Sequence, residues 1–210
     1  MVFCRRGRKS RSAVSRTKVC AQAKEFPVYD KSALVRLVRE KALSFGQFTL
    51  ASGKQASFYL DCRQVTLDSF GANLIAEGLL DLLADDWPEA VGGLAIGADP
   101  ITAAVVTIAH QRGRSLSGFI VRKEPKGHGR GRDVEGPVQP GQKAIVVEDV
   151  VTTAGSSLMA IERARAFGLE VAGVVALIDR LEGGAEALAR QGCWLKTLLT
   201  IRDFGIEPGK

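Results

Sequence analysis

The residues best suited to chemistry form one contiguous stretch, Val146-Val147-Glu148-Asp149-Val150-Val151-Thr152-Thr153-Ala154-Gly155-Ser156-Ser157. Two acids adjoin the end of an apolar run, and hydroxyl-bearing and small residues then lead toward a helical pattern. A turn into a helix offers backbone N–H groups and the positive end of the helix dipole, which together suit a phosphate. Ala154 and Gly155 let that backbone come close, and Thr152, Thr153 and Ser156 add hydroxyl donors. Glu148 and Asp149 repel a phosphate, so their use is to hold neutral hydroxyls or to face a positive charge. A ligand with a phosphate at one end and a sugar diol nearby satisfies both halves. A capped helix after a strand with two chance acids is the plain alternative. No GxxxxGK[ST] occurs, and no GxGxxG follows the first strand, which excludes two common nucleotide loops.

Two further stretches gain meaning beside a phosphate site. Val121-Arg122-Lys123-Glu124-Pro125-Lys126-Gly127-His128-Gly129-Arg130-Gly131-Arg132 is glycine-rich and basic. Alone it reads as a solvated connector. Next to a phosphate, Lys123 and Lys126 act as point charges, His128 joins them, and Arg122 can fork onto two oxygens. Ile178-Asp179-Arg180 ends another apolar run. Arg180 there makes a surface salt bridge or grips the carboxylate of an acceptor.

These stretches need elements to hold them. Leu34, Val35, Leu37, Val38, Ala42 and Leu43 make one helical stripe within Lys31–Phe45. Phe48–Leu50 and Phe58–Leu60 flank Ser52-Gly53-Lys54-Gln55 as a hairpin or strand pair. Asp68 is placed to cap a helix reaching about Ala84. Four short apolar runs follow, Gly93–Gly97, Leu116–Val121, Ala144–Val147 and Val171–Ile178, with Leu198–Ile201 a fifth. Between them lie helical patterns through Ala103–His110 and from about Ser156 to Phe167, with Gly168 suited to the position just past the latter. Near-continuous apolar strands alternating with helices predict an α/β fold, a parallel sheet covered on both faces. Ligands of such sheets sit beyond the carboxyl ends of the strands, where all three polar stretches fall.

Together the three stretches resemble the type I phosphoribosyltransferases, and within them the orotate phosphoribosyltransferases. The resemblance covers roughly Phe45 to Arg180 and includes Phe48-Thr49-Leu50-Ala51-Ser52-Gly53-Lys54-Gln55-Ala56-Ser57, similar to the F-x-L-x-S-G-x-x-S hood segment beside the base. It implies a type I fold with a small N-terminal hood, and transfer of phosphoribosyl from phosphoribosyl pyrophosphate to orotate. Glu148–Ser156 then match the phosphoribosyl pyrophosphate loop. Arg122, Lys123, Lys126 and His128 match a loop closing over the neighbouring subunit's site in a homodimer, and Thr152 and Arg180 match orotate contacts. Asp149 and Lys126 are the implied catalytic groups. Magnesium is the implied cofactor, carried mainly by substrate oxygens rather than by a protein cage. Two departures stand out: Ala51 replaces a lysine common before Ser-Gly, leaving Lys54 nearby, and Gly97-Ala98-Asp99-Pro100 lacks a lysine found in some members. Gly97–Asp99 would bind through backbone N–H groups, with water or metal near Asp99. A transferase for another base and a regulator sensing phosphoribosyl pyrophosphate are the competing readings. The Lys126 loop, Arg180 and the hood segment oppose them.

Composition agrees with an enzyme of small molecules. The 210 residues suit a single domain, and 46% hydrophobic with 25% charged residues is ordinary globular usage. No apolar run is long enough for a transmembrane helix. The net charge of +6 resides in residues 1–24, which hold eight Lys/Arg and no acid, leaving 21 basic against 23 acidic groups in the remainder. A body at −2 offers no nucleic-acid surface. The tail lacks apolar periodicity and is expected to be disordered. It is a loose N-terminus or over-called start, a short transit segment (making a plastid the alternative to the cytoplasm), or a basic arm. Residues 25–210 are expected to form the phosphoribosyltransferase domain. Cys4, Cys20, Cys62 and Cys193 lack CxxC spacing, and His110 and His128 complete no ligand set, so reduced, packed thiols are expected.

Overall fold

A computed structural model describes residues 29–49, 55–124 and 133–208. The basic tail, the turn Ala51–Lys54 and the loop stretch holding Lys126 and His128 lie outside the described residues.

Helix α1 spans Lys31–Lys41, capped by Asp30, whose carboxylate accepts the Ala33 N–H at 3.0 Å. It ends four residues before the expected Phe45. Leu43 leaves the helical stripe and starts strand β1 (Leu43–Thr49), which pairs antiparallel with β2 (Gln55–Leu60). Apolar residues at Ala42, Leu43 and Phe45 fit either period, and pairing with β2 decides for the strand. The hairpin is the small hood expected at this place. After it come a single turn α2 (Arg63–Thr66) and α3 (Ser69–Leu82), where Asp68 is the cap, accepting from Phe70 N and Gly71 N at 3.1 and 2.9 Å.

The main sheet is assembled from β3 (Ala90–Leu94), β4 (Ser117–Val121), β5 (Val134–Glu135), β6 (Lys143–Val151), β7 (Glu170–Asp179) and β8 (Trp194–Thr200). Its order is β5-β4-β3-β6-β7-β8, parallel except for the short edge strand β5, which runs antiparallel to β4. Helices α4 (Ala98–Gln111), α5 (Gly155–Phe167) and α6 (Gly184–Ala189) complete the layers, and Ile201–Phe204 closes the chain as a 3-10 turn. Gly168 ends α5 at φ 107°, a left-handed conformation that suits glycine.

The period of two explains the continuous apolar runs. Along β6, Ile145 and Val147 pack with Leu34, Leu79 and Ile101 on one face, while Ala144 and Val146 pack with Phe119, Ala160 and Ile161 on the other. Both faces are buried, so neither alternate set is polar. At the sheet's centre the winding reverses between β3 and β6, the crevice where ligands of such sheets bind. Beneath this frame Arg112, just past α4, ties two helices together. Its guanidinium bonds the buried Glu77 carboxylate, the Glu77 carbonyl at 3.2 Å and the Asp81 carboxylate at 2.8 Å, all on α3. Among the described residues no helix is long and apolar enough to cross a membrane.

Candidate active site

At the end of β6 the two acids have different surroundings. Glu148 is only 5% exposed. Its Oε2 accepts the Ser157 hydroxyl at 3.1 Å and its Oε1 the Asp149 N–H at 3.3 Å. Burial, reinforced by the neighbouring Asp149 charge, pushes the Glu148 carboxyl up to about 8. Asp149 is half-buried, and its Oδ1 accepts the Val150 N–H at 2.8 Å. Beyond it Val151 is buried, Thr152 half-buried and Thr153 exposed. Ala154 then adopts φ 66°, turning the chain sharply into α5. No side chain caps α5 at Ala154, and a Cβ added at Gly155 would meet open space. The first-turn N–H groups of α5 therefore lie at an uncrowded surface suited to an anion.

A cavity of about 440 Å³ opens in front of this strand end, at the sheet's winding reversal. Lys123, Glu148, Asp149 and Ser156 face it, together with Ile96, Gly97 and the hood residues Tyr59, Asp61 and Arg63. Gly97 also opens α4, again without a side-chain cap. A Cβ there would come within 3.0 Å of the Asp149 carboxylate, so the absence of a side chain lets α4 begin against that acid. Two helix N-termini thus converge on one carboxylate-lined space. On the hood side Arg63 donates to Asp61 at 2.7 Å and holds that carboxyl below its usual range. Cys62, buried between them in sequence, has its thiol pushed up by burial and then by Asp149, which makes it a packing residue rather than a nucleophile.

Arg122 and Lys123 part company. Lys123 lines both the main cavity and an adjoining one of about 430 Å³, whereas Arg122 lines the second, with Asp99, Glu124 and Glu135. Arg122 lies 3.7 Å from Glu135, and its carbonyl accepts from the Arg163 guanidinium. Asp99, on the first turn of α4, has a buried Oδ1 without a hydrogen-bond partner among the described residues, and burial raises its carboxyl.

Arg180 follows β7 and donates its N–H to the Val151 carbonyl at 2.9 Å, which ties this strand end to the end of β6. Its guanidinium stacks over Phe58 at 4.7 Å and pairs with Glu182 at 2.8 Å, leaving the side chain 19% exposed. The salt bridge weighed from sequence is therefore present, yet it stands against the hood rather than on open surface. Gly184 helps to hold this corner, since a Cβ there would collide with Val151 and the Thr152 carbonyl.

The cavity residues that sequence reasoning missed are Tyr59, Asp61, Arg63 and Ile96. A signal existed for three of them. Tyr59-Leu60-Asp61-Cys62-Arg63 is a polar strand end like those of β6 and β7, but it belongs to the hairpin and not to the parallel sheet.

Known proteins are similar to this chain in sequence and fold. The chain is 58% identical over 185 residues to an orotate phosphoribosyltransferase of Rhodopirellula baltica, covering 85% of this chain and 96% of that protein. The crystal structure of Mycobacterium tuberculosis orotate phosphoribosyltransferase with Fe(III) dicitrate matches with a TM-score of 0.76 at 39% identity, over 84% of this chain and 99% of that one. The same enzyme in complex with 5-phospho-alpha-D-ribosyl 1-diphosphate matches at 0.71 and 36% identity, over 84% and 99%. No family model matches the chain. With identity sustained over almost the whole of a relative, and a cavity at the expected strand ends, the chain belongs to the orotate phosphoribosyltransferase family.

Proposed function

We propose that this chain transfers the phosphoribosyl group of phosphoribosyl pyrophosphate to orotate, giving orotidine 5'-phosphate and pyrophosphate in pyrimidine nucleotide biosynthesis in the cytoplasm. The observation that carries the reading is the end of β6, where Glu148 and Asp149 stand beside the uncapped start of α5 in one cavity. The phosphate of the sugar sits on the loop Val150–Ser156, and the two acids meet its ring hydroxyls. Breaking the bond from ribose C1 to the diphosphate oxygen leaves the electron pair on the diphosphate and a cation-like ribosyl centre. Asp149 and Glu148 face that centre, while Lys123 faces the leaving group. Orotate attacks as an anion, so the reaction depends on positioning and preorganised charge rather than on a strong base. Arg180, placed over the Phe58 ring, exchanges Glu182 for the orotate carboxylate, with Thr152 beside it.

Magnesium carried by the substrate would supply charge neutralisation at the diphosphate. Among the described residues no cluster of three or more His, Cys, Asp or Glu forms a cage, and Asp99, with its unpartnered Oδ1, is the residue that would face the ion's water shell.

The assembly is a homodimer with shared sites. Lys123 lines both cavities, whereas Arg122 lines the adjoining one and stands clear of the main cavity. Arg122, Lys126 and His128 then serve the partner. Consumption of orotate with phosphoribosyl pyrophosphate and magnesium, followed by absorbance, tests the reaction; no consumption at any pH would reject it. Co-refolding Lys126→Ala and Asp149→Asn chains tests sharing, with about a quarter of wild-type activity expected from random mixing in a two-fold dimer. No recovery despite subunit exchange would reject it.

A further inference from the structure

Of the three carboxylates on the cavity wall, Asp61 and Asp149 are half-buried and only Glu148 is buried. A buried carboxylate keeps one orientation only if something holds it. The Asp149 N–H holds one oxygen at 3.3 Å, a long bond from the adjacent residue. The other oxygen is held at 3.1 Å by Ser157, which is 1% exposed, sits on the first turn of α5 and does not line the cavity. Resting on the reaction proposed above, we infer that Ser157 is a positioning residue, whose hydroxyl fixes the Glu148 carboxylate in the orientation that meets the sugar of the substrate.

The groups facing Glu148 from each side are few. On its own strand there is Asp149, whose charge opposes ionisation. From α5 comes the Ser157 hydroxyl, which favours it. On β7 the residue in register is Ala176, which is neutral, and β3 ends beside the cavity at Leu94. Across the cavity stand Asp61, Arg63, Lys123 and the Cys62 thiol. Besides the Asp149 backbone N–H, Ser157 is the one hydroxyl that donates to Glu148 among the described residues, and both act against burial. Without it the carboxyl would both swing and hold its proton to higher pH. A residue that only filled space would change neither.

The test has two arms. In the first, carbon-13 NMR follows the Glu148 carboxyl, assigned by its loss in Glu148→Gln, through a pH titration of the free protein. Ser157→Ala should raise the midpoint by roughly one pH unit, the size of a hydrogen bond to a charged group. An unmoved midpoint in a folded variant would overturn the inference, whatever the reaction proves to be. In the second, kcat/KM for phosphoribosyl pyrophosphate is measured against pH, which reports ionisations of the free enzyme. The substrate's own ionisation is common to both proteins. The acid limb should move up with the NMR midpoint in Ser157→Ala, with kcat/KM lower by several-fold on the acid side and a smaller change in kcat. In a Glu148→Gln background the serine replacement should shift nothing, and a shift there would also overturn the inference. Should orotate not be consumed by the wild-type protein at all, the proposed reaction fails while the first arm still decides the role of Ser157.

Discussion

The ends of β6 and β7 lie side by side, joined by the Arg180 N–H on the Val151 carbonyl, yet they are prepared for ligand in opposite ways. At β6 the polar groups are left short of partners. Glu148 has one hydroxyl and one long backbone bond, Asp149 has the next N–H and a side-chain bond shared with Glu148, and α5 begins without a cap. At β7 the groups are more fully engaged, with one buried guanidinium nitrogen, Arg180 Nε, left without a hydrogen-bond partner among the described residues. Asp179 accepts the Leu181 N–H, and Arg180 has both an aromatic face and a carboxylate. An unsatisfied polar end gains contacts when ligand arrives, and it is unstable until then. An engaged end that exchanges one partner for another gains selectivity more than strength.

Replacing one residue at each end separates the two modes. The largest effect is expected from Asp149→Asn, with turnover down by roughly 10²-fold or more, the scale for losing a group that stabilises charge in the transition state. An unaltered kcat in the folded variant would remove Asp149 from the chemistry. Next comes Arg180→Ala, expected to raise KM for orotate by roughly 10–150-fold, as for a lost charged hydrogen bond of about 1.5–3 kcal/mol. KM for phosphoribosyl pyrophosphate should barely move. If both constants rose together, the β7 end would be serving the fold and the contrast would fail.

A smaller and purely structural signal should come from Glu148. Its folded carboxyl is raised to about 8 from an ordinary value near 4.5. Between those values the folded protein keeps a proton that the unfolded chain releases, so the contribution of this group is full below the window and is lost as pH rises through about 8. Glu148→Gln removes the titration, and its melting temperature should gain on wild type steadily from pH 5 to pH 8. A constant difference would mean that the acid is not starved of partners. Deleting residues 1–24 should do least, leaving melting temperature and activity nearly unchanged, since that stretch carries no core pattern in its sequence. A large fall in melting temperature would show that it packs.

The β6 end was legible because its chemistry is compressed into a dozen contiguous residues, where residue type and order alone imply a phosphate turn. Alternating apolar runs likewise announced the sheet, and Asp68 and Gly168 marked helix ends through local hydrogen bonding and backbone freedom. What stayed hidden depends on tertiary placement. Asp61 and Arg63 reach the cavity only because the hairpin folds over the sheet, and that Lys123 but not Arg122 lines the main cavity depends on where the chain bends after β4. The partnership of Ser157 with Glu148 spans a strand end and a helical turn, so no short pattern announces it. The two-residue strand β5 is too short to show any period. The overlong reading of α1 came from apolar residues that serve two periods equally, a conflict that only the strand partner resolves.

The clamp formed by Arg112 has a mechanical meaning. Helix α4 is a rod of 14 residues, about 20 Å long, whose front end forms part of the cavity wall and whose rear end is bolted to α3. A rod fixed at the rear cannot slide as a unit, so adjustment of this part of the wall falls to the few residues Ala95–Gly97 ahead of it. Glu77 and Asp81, which do not line the cavity, therefore limit how far the α4 end of its wall can travel.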